Sequence, residues 1–219
     1  MLLVFDWDGT LSDSTGTIVT AMQRAADDLG WQVPEVDAVR NIIGLGLPEA
    51  LQRLFVGIGD TDVARMRERY GAHYLALDQA NPAAFYPGVL DTLDSLRGDG
   101  YQLAVATGKS RQGLDRVFKA VQMENFFHAS RCADETASKP DPLMLLELIE
   151  HFGADAERAL MVGDTEYDME MAERAGVHRI AVSYGAHAPE RLAPFKPALC
   201  MDCFTELLGW EELARWREG

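Results

Sequence analysis

LLVFDWDGTLSDS, residues 2–14, runs from four consecutive apolar side chains into two aspartates separated only by Trp7, then at once into Gly9 and Thr10. Four apolar residues in a row predict a strand buried on both faces, as in a parallel sheet. Side chains alternate along a strand, so Asp6 and Asp8 are expected to lean to the same side near its end, at the rim of a hydrophobic core. Two like charges about 4 Å apart at an effective dielectric near 20 repel by roughly 4 kcal/mol. A cation between them, or a proton on one of them, is the expected compensation. The plainer alternative is a turn at Asp8-Gly9 with Asp6 in water.

The rest of the chain sets the context for this stretch. Its 219 residues suffice for one good core plus an insertion, and 47% hydrophobic with 25% charged residues is an ordinary globular composition. No apolar run approaches the roughly 20 residues that span a bilayer, and the acidic start lacks the basic segment of a signal peptide. A cytoplasmic protein without a membrane partner is expected. The formal charge of −15 argues against nucleic-acid binding, which needs clustered Lys and Arg. There are only four lysines, Lys109, Lys119, Lys139 and Lys196, so any anion must be met by a few local cations. Three cysteines do not complete a disulfide framework, and Cys200-x-x-Cys203 has no second pair at zinc-site spacing.

Residues 15–83 carry helical signals and no convincing strand. Ile18, Val19, Met22, Ala25, Ala26 and Leu29 recur at helical spacing before Gly30, and Pro34 and Pro48 open two further segments. The pattern of TDVARMRERYGAHYLALDQ runs to Gln79, after which NPAAFYPG reads as a linker. From Pro87 onward helices alternate with strands: YQLAVAT at 101–107, a weak strand near FFHASR at 126–131, RALMVG at 158–163 and HRIAVS at 178–183. That alternation predicts an α/β fold, a doubly wound, Rossmann-like parallel sheet with helices on both faces and ligands at the carboxyl ends of its strands. The first strand has no other strand near it in sequence and must join this sheet. The expected organisation is therefore a core of residues 1–14 and 84–219, interrupted by a helical cap of residues 15–83.

The clear strand ends carry polar groups. Thr107 ends one, with Gly108 permitting close backbone approach and Ser110 placed to cap the next helix. The GKS at 108–110 is not a nucleotide-binding P-loop, because Leu103 stands where that motif needs glycine. Lys139 lies just ahead of a helix that Pro140 and Pro142 help to define. Gly163 and Asp164 end another apolar strand, with Asp168 four residues on. Asp164 and Asp168 could serve simply as a helix cap and a first-turn charge. Yet Asp6, Asp8 and Asp164 converge on one rim of the sheet, and a hard divalent ion would relieve their repulsion. Magnesium fits, since it takes few protein carboxylates and keeps waters or phosphate oxygens.

Asp6-Trp7-Asp8-Gly9-Thr10, then Thr107-Gly108, Lys139-Pro140 and Gly163-Asp164 with Asp168, resemble the four ordered motifs of the haloacid dehalogenase superfamily, across essentially the whole chain. The helical segment after the first motif resembles the cap of its phosphoglycolate phosphatase-like branch. The resemblance implies a magnesium-dependent phosphatase in which Asp6 attacks phosphorus and Asp8 acts as general acid and then base. Asp6, the backbone carbonyl of Asp8 and Asp164 would hold the metal, with Asp168 as a further ligand or an orienting group. Thr107, the Gly108 backbone and Lys139 would hold phosphate oxygens.

The presence of Asp8 argues against carbon–halogen cleavage, and the absence of lysine from residues 13–83 argues against Schiff-base chemistry. Sugar-phosphate mutases of similar sequence carry a cap-side histidine where Ile18 stands here, so water is the expected acceptor. The expected substrate is a small phosphorylated metabolite, phosphoglycolate first, handled by a monomer or homodimer. A phosphotransferase or mutase and a pyrophosphatase are the alternatives; a receiver-type signalling switch would be shorter, with its phosphorylated aspartate elsewhere. In the cap, Gly44 and Gly46 are expected to wall the leaving group, with Arg40 and Arg53 as partners for a second anion or as surface residues. Trp7 is expected to pack in the core, and His187 to lie at the surface.

Overall fold

The computed structural model describes residues 1–218. Strand β1 (Leu2–Phe5) lies in the interior of a six-stranded sheet with β2 (Gln102–Thr107), β3 (Ala129–Cys132), β4 (Ala159–Gly163), β5 (His178–Val182) and β6 (Cys200–Met201). The order is β3-β2-β1-β4-β5-β6 and every pairing is parallel. The α/β fold expected from the alternating pattern is the one formed. Leu2 and Val4 point to one face, where they meet Ala104, Met161, Leu145, Leu148 and Met171. Leu3 and Phe5 point to the other, against Val105, Val162, Leu93, Leu96 and Phe204. An interior strand covered on both sides has no place for a polar alternation, which is why β1 reads as an unbroken apolar run. Trp7 joins the second cluster at 1% exposure, its ring edge-on to Phe85, Phe118 and Phe127.

Between β1 and the next strand lie α1 (Thr15–Asp28), α2 (Val36–Arg40), α3 (Leu47–Leu54) and α4 (Asp60–Ala80). They share a separate apolar cluster, built from Ile18, Val19, Met22, Ala25, Ile42, Leu51, Met66 and Tyr74. The two chain segments that lead into and out of these helices are tied to each other: Asp13 N donates to Ala84 O at 2.8 Å and Tyr86 N to Leu11 O at 3.0 Å. Helices α5 (Val89–Gly98), α6 (Arg111–Ala120), α7 (Leu143–Phe152) and α8 (Glu166–Ala175) follow, and a short α9 (Pro189–Leu192) and α10 (Glu211–Glu218) complete the set.

Two expectations need correction, and one strand has no counterpart in the sequence pattern. β1 stops at Phe5, so the alternation argument does not reach Asp8; Gly9, at φ +83°, turns the chain, and Leu11 N and Ser12 N bond back to Trp7 O. β3 begins at Ala129, three residues later than the weak apolar signal at Phe126. Phe127 instead stacks on Phe118 in the core. β6, only two residues long, has no period to read and was not anticipated.

Candidate active site

The carboxyl ends of β1 and β4 are neighbours, and each is followed immediately by an aspartate. Asp6 N still donates to Val162 O at 3.0 Å, one bond beyond the ladder, which fixes Asp6 beside the Gly163-Asp164 turn. Asp164 is fully buried; its Oδ1 accepts from Thr10 Oγ1 at 2.9 Å and its Oδ2 from Ala186 N at 2.7 Å. The chain can pass this close only through glycine at position 9, where a Cβ would sit 2.2 Å from Asp164 Oδ2. Asp168 stands at the third position of α8 in a capping box with Thr165: its Oδ2 accepts from Thr165 N at 3.0 Å and Thr165 Oγ1 at 2.7 Å. The cap and charge roles weighed for Asp164 and Asp168 thus fall to Thr165 and Asp168, and Asp164 is left for the site.

Lys139 closes the group. Its ammonium, fully buried, lies 2.6 Å from Asp168 Oδ1 and 2.8 Å from Asp6 Oδ1. Burial alone would lower its pKa, but Asp168 and Asp6 outweigh that and hold it above the usual lysine value. Burial raises Asp6 well above the ordinary carboxylate range; Lys139 opposes this, while Asp168 and Asp164 add to it. Asp164 is pushed up to about 7 by burial and by Asp168. One carboxylate oxygen each from Asp6, Asp164 and Asp168 lies within 4.8 Å of the others. Among the described residues Asp6 Oδ2 is buried without a hydrogen-bond partner. Three buried acids, one lysine and an orphaned oxygen form a set short of positive charge, which a hard divalent cation with oxygen ligands fits.

Asp8 has different neighbours. Its side chain turns away from the metal-sized cluster: Oδ1 accepts from Ser14 Oγ at 2.5 Å and pairs with Lys109 Nζ at 3.0 Å. Lys109 also donates to Tyr74 OH at 3.2 Å and lies 4.8 Å from the centre of that ring. Burial lowers the Lys109 pKa, but Asp8, Tyr74 and Tyr70 more than reverse this, so the ammonium stays charged. The cation expected between the two aspartates is in fact two lysines, one for each.

Asp6 and Asp8 form the floor of a cavity of about 570 Å³ between the sheet and helices α1–α4. Thr107, buried at the end of β2, and Gly108 lie on the core side with Lys109 and Arg116; Ile18, Ile42, Gly44, Tyr70 and Tyr74 lie opposite. The opposing backbone comes close: a Cβ on Gly108 would meet Leu45 O at 2.5 Å and Gly44 O at 2.6 Å. Gly46 N donates to Ser138 Oγ at 2.7 Å, holding this loop over the strand ends.

The structure brings Asp6, Asp8, Thr107, Gly108, Lys139, Asp164, Asp168 and Gly44 to one region, with Gly46 at its edge. It does not bring Arg40 and Arg53 there. Both are exposed and outside the cavity wall, and Arg53 instead donates to Tyr167 OH at 3.2 Å. His187 is not at the surface: it is 2% exposed, its Nδ1 accepts from Glu166 N at 3.2 Å, and its ring packs edge-on to Tyr167. The loop after β5 folds back over the start of α8 to bring Ala186 N to Asp164, and His187 is buried with it. Sequence reasoning missed Lys109, Ser14, Thr165, Tyr74 and Arg116. Thr165-x-x-Asp168 carried a capping-box signal, and Ser14 and Lys109 adjoined recognised motifs; nothing local pointed to Tyr74 or Arg116.

The family model for haloacid dehalogenase-like hydrolases matches residues 3–182, and the chain belongs to that family. It is a phosphomonoester hydrolase of the phosphoglycolate phosphatase-like kind. The chain is 37% identical over 212 residues to a probable phosphatase, IndB, of Dickeya dadantii, covering 95% of this chain and 92% of the relative. It is 32% identical to the phosphoglycolate phosphatase of Aliivibrio fischeri, over 98% and 97% of the two chains. The crystal structure of a predicted phosphoglycolate phosphatase from Haemophilus somnus 129pt superposes with a TM-score of 0.85 at 26% identity, over 95% and 96% of the two chains. No helix among the described residues is long and apolar enough to cross a membrane.

Proposed function

We propose that this chain is a magnesium-dependent phosphatase that hydrolyses a small phosphorylated metabolite, phosphoglycolate first among them, through an aspartyl-phosphate on Asp6. The observation that carries this reading is the contrast between two aspartates one residue apart. Both reach the cavity floor, but Asp6 stands among Asp164, Asp168 and Lys139 with an unpartnered oxygen, whereas Asp8 stands between Ser14 and Lys109.

Residues 1–14 and 84–219 act as the hydrolytic core and 15–83 as its cap. Asp6, Asp164, Asp168 and the backbone carbonyl of Asp8 would hold magnesium. When bound, the ion supplies charge neutralisation that lets an anionic nucleophile meet an anionic phosphoryl group. Asp6 forms the bond to phosphorus while the ester oxygen leaves, and Asp8 gives that oxygen its proton. Asp8 then takes a proton from water as the water attacks phosphorus, and the Asp6–phosphorus bond breaks to release phosphate. Lys139, Thr107 and the Gly108 backbone offset charge on the transferred oxygens. Ile18 on the cavity wall gives a second sugar hydroxyl no base at that position, which favours water as acceptor. Three free cysteines suit the cytoplasm.

The test is phosphate release from a panel of small phosphomonoesters, with and without magnesium, beside Asp6→Asn. A magnesium-dependent preference for one ester, abolished by Asp6→Asn, is expected; wild-type rates in Asp6→Asn would overturn the covalent route. Magnesium should also raise the thermal midpoint of the wild-type protein in the absence of substrate, because it binds the folded acid cluster and not the unfolded chain.

A further inference from the structure

Three cations line the cavity: Lys109, Arg67 and Arg116. Lys109 is committed to Asp8 at 3.0 Å and to Tyr74 at 3.2 Å. Arg67, on α4, is exposed to solvent. Arg116, on α6, has its Nε buried with no hydrogen-bond partner and no carboxylate within ion-pair distance among the described residues. Its guanidinium lies 5.9 Å from the centre of the Tyr74 ring, the ring that Lys109 faces from 4.8 Å. A buried guanidinium N–H left unpaired costs free energy, and because the Arg116 side chain lines the cavity its positive charge is uncommitted there.

We infer that Arg116 is a specificity-determining residue, binding a carboxylate on the leaving group of the substrate. The inference rests on the phosphatase reading above and names the substrate class within it. A single guanidinium matches a singly charged, planar carboxylate, which it grips through two parallel N–H donors. A second phosphate dianion would need more charge than is on offer, since the charge of Lys109 is already taken by Asp8 and Glu49, Glu68 and Asp134 also line the cavity. The cavity is large for glycolate alone, and its apolar wall of Ile18, Met22 and Ile42 accommodates leaving groups with a hydrocarbon body. Arg116 therefore takes the role that Arg40 and Arg53 are not placed to fill.

Non-hydrolysable phosphonates separate carboxylate recognition from chemistry. Calorimetric titration in magnesium would compare 3-phosphonopropionate with propylphosphonate, which has the same chain without the carboxylate. The expected wild-type preference for 3-phosphonopropionate is about tenfold to a hundredfold, the size of a hydrogen bond to a charged group. In Arg116→Gln the ratio falls to near one, and Arg116→Lys keeps part of it. A wild-type ratio near one, or a ratio that survives in Arg116→Gln, overturns the inference and leaves the phosphatase reading standing. If neither phosphonate binds, the phosphate site itself fails and both fall together. Because the readout is a ratio between two ligands on one protein, a general loss of folded material does not imitate it.

Discussion

Lys139 is the residue on which the site's charge balance turns. It is buried between Asp6 and Asp168, and removing one member of a buried ion pair leaves an uncompensated charge that costs about 3–5 kcal/mol. Lys139→Met is therefore expected to lower unfolding free energy by that order in urea at neutral pH without magnesium, and to abolish phosphate release. His187 provides a pH signature. Burial, with Arg191 adding to it, holds His187 below its ordinary value of 6.5, so the unfolded chain takes up a proton at higher pH than the folded one. Its contribution to stability is complete above that pH and is lost as pH falls below it. Urea midpoints measured from pH 7 down to pH 5 should fall more steeply in the wild type than in His187→Gln.

At the scale of elements, strand ends and helix starts supply the site, and their connections must be thin. Gly108, where β2 meets the turn into α6, has the Gly44 and Leu45 carbonyls against it. Gly108→Ala would push that loop outward by part of an ångström or more, and displacement on that scale costs up to about a hundredfold in rate. The expected result is a fall of about tenfold to a hundredfold in kcat/KM with an unfolding midpoint close to wild type, since the new methyl meets a loop and not the core. Thr165 both caps α8 and orients Asp168. Thr165→Ala should cost about 1 kcal/mol in urea unfolding for the lost cap and weaken the magnesium-dependent thermal shift.

The whole molecule encloses its cavity through a few contacts across the gap: Gly46 N to Ser138 Oγ, Tyr167 OH to Asn41 O at 2.7 Å, and Lys109 to Tyr74. Substrate must enter and phosphate must leave, so the proposed cap has to open about the paired segments 12–15 and 81–87. Asp13 N to Ala84 O and Tyr86 N to Leu11 O tie the two segments to each other. With Arg53 also donating to Tyr167 OH, the double variant Ser138→Ala, Tyr167→Phe removes three of these four hydrogen bonds and should accelerate amide hydrogen exchange in residues 42–46 without changing exchange in β1. A uniform increase across the sheet would indicate loss of global stability in place of opening.

Much of this protein is determined locally. β1, β2, β4 and β5 announce themselves by apolar runs, because an interior parallel strand is buried on both faces and tolerates little else. Asp6, Thr107 and Asp164 follow from their places at strand ends, where a doubly wound sheet converges its ligands, whereas Asp8, Lys139 and Asp168 are legible only through the order of the motifs. Tertiary structure decided what pairs with what. Lys109 is divided between Asp8 and Tyr74, Asp168 shares Lys139 with Asp6, and His187 is buried by a loop that turns back to Asp164. Arg116 and Tyr74 meet across the cavity from helices far apart in the chain. The physical reason is one of range. Periodicity and capping are set by neighbours within a helical turn or a strand repeat, whereas a charge buried in low dielectric is defined by whichever partner the fold brings to it.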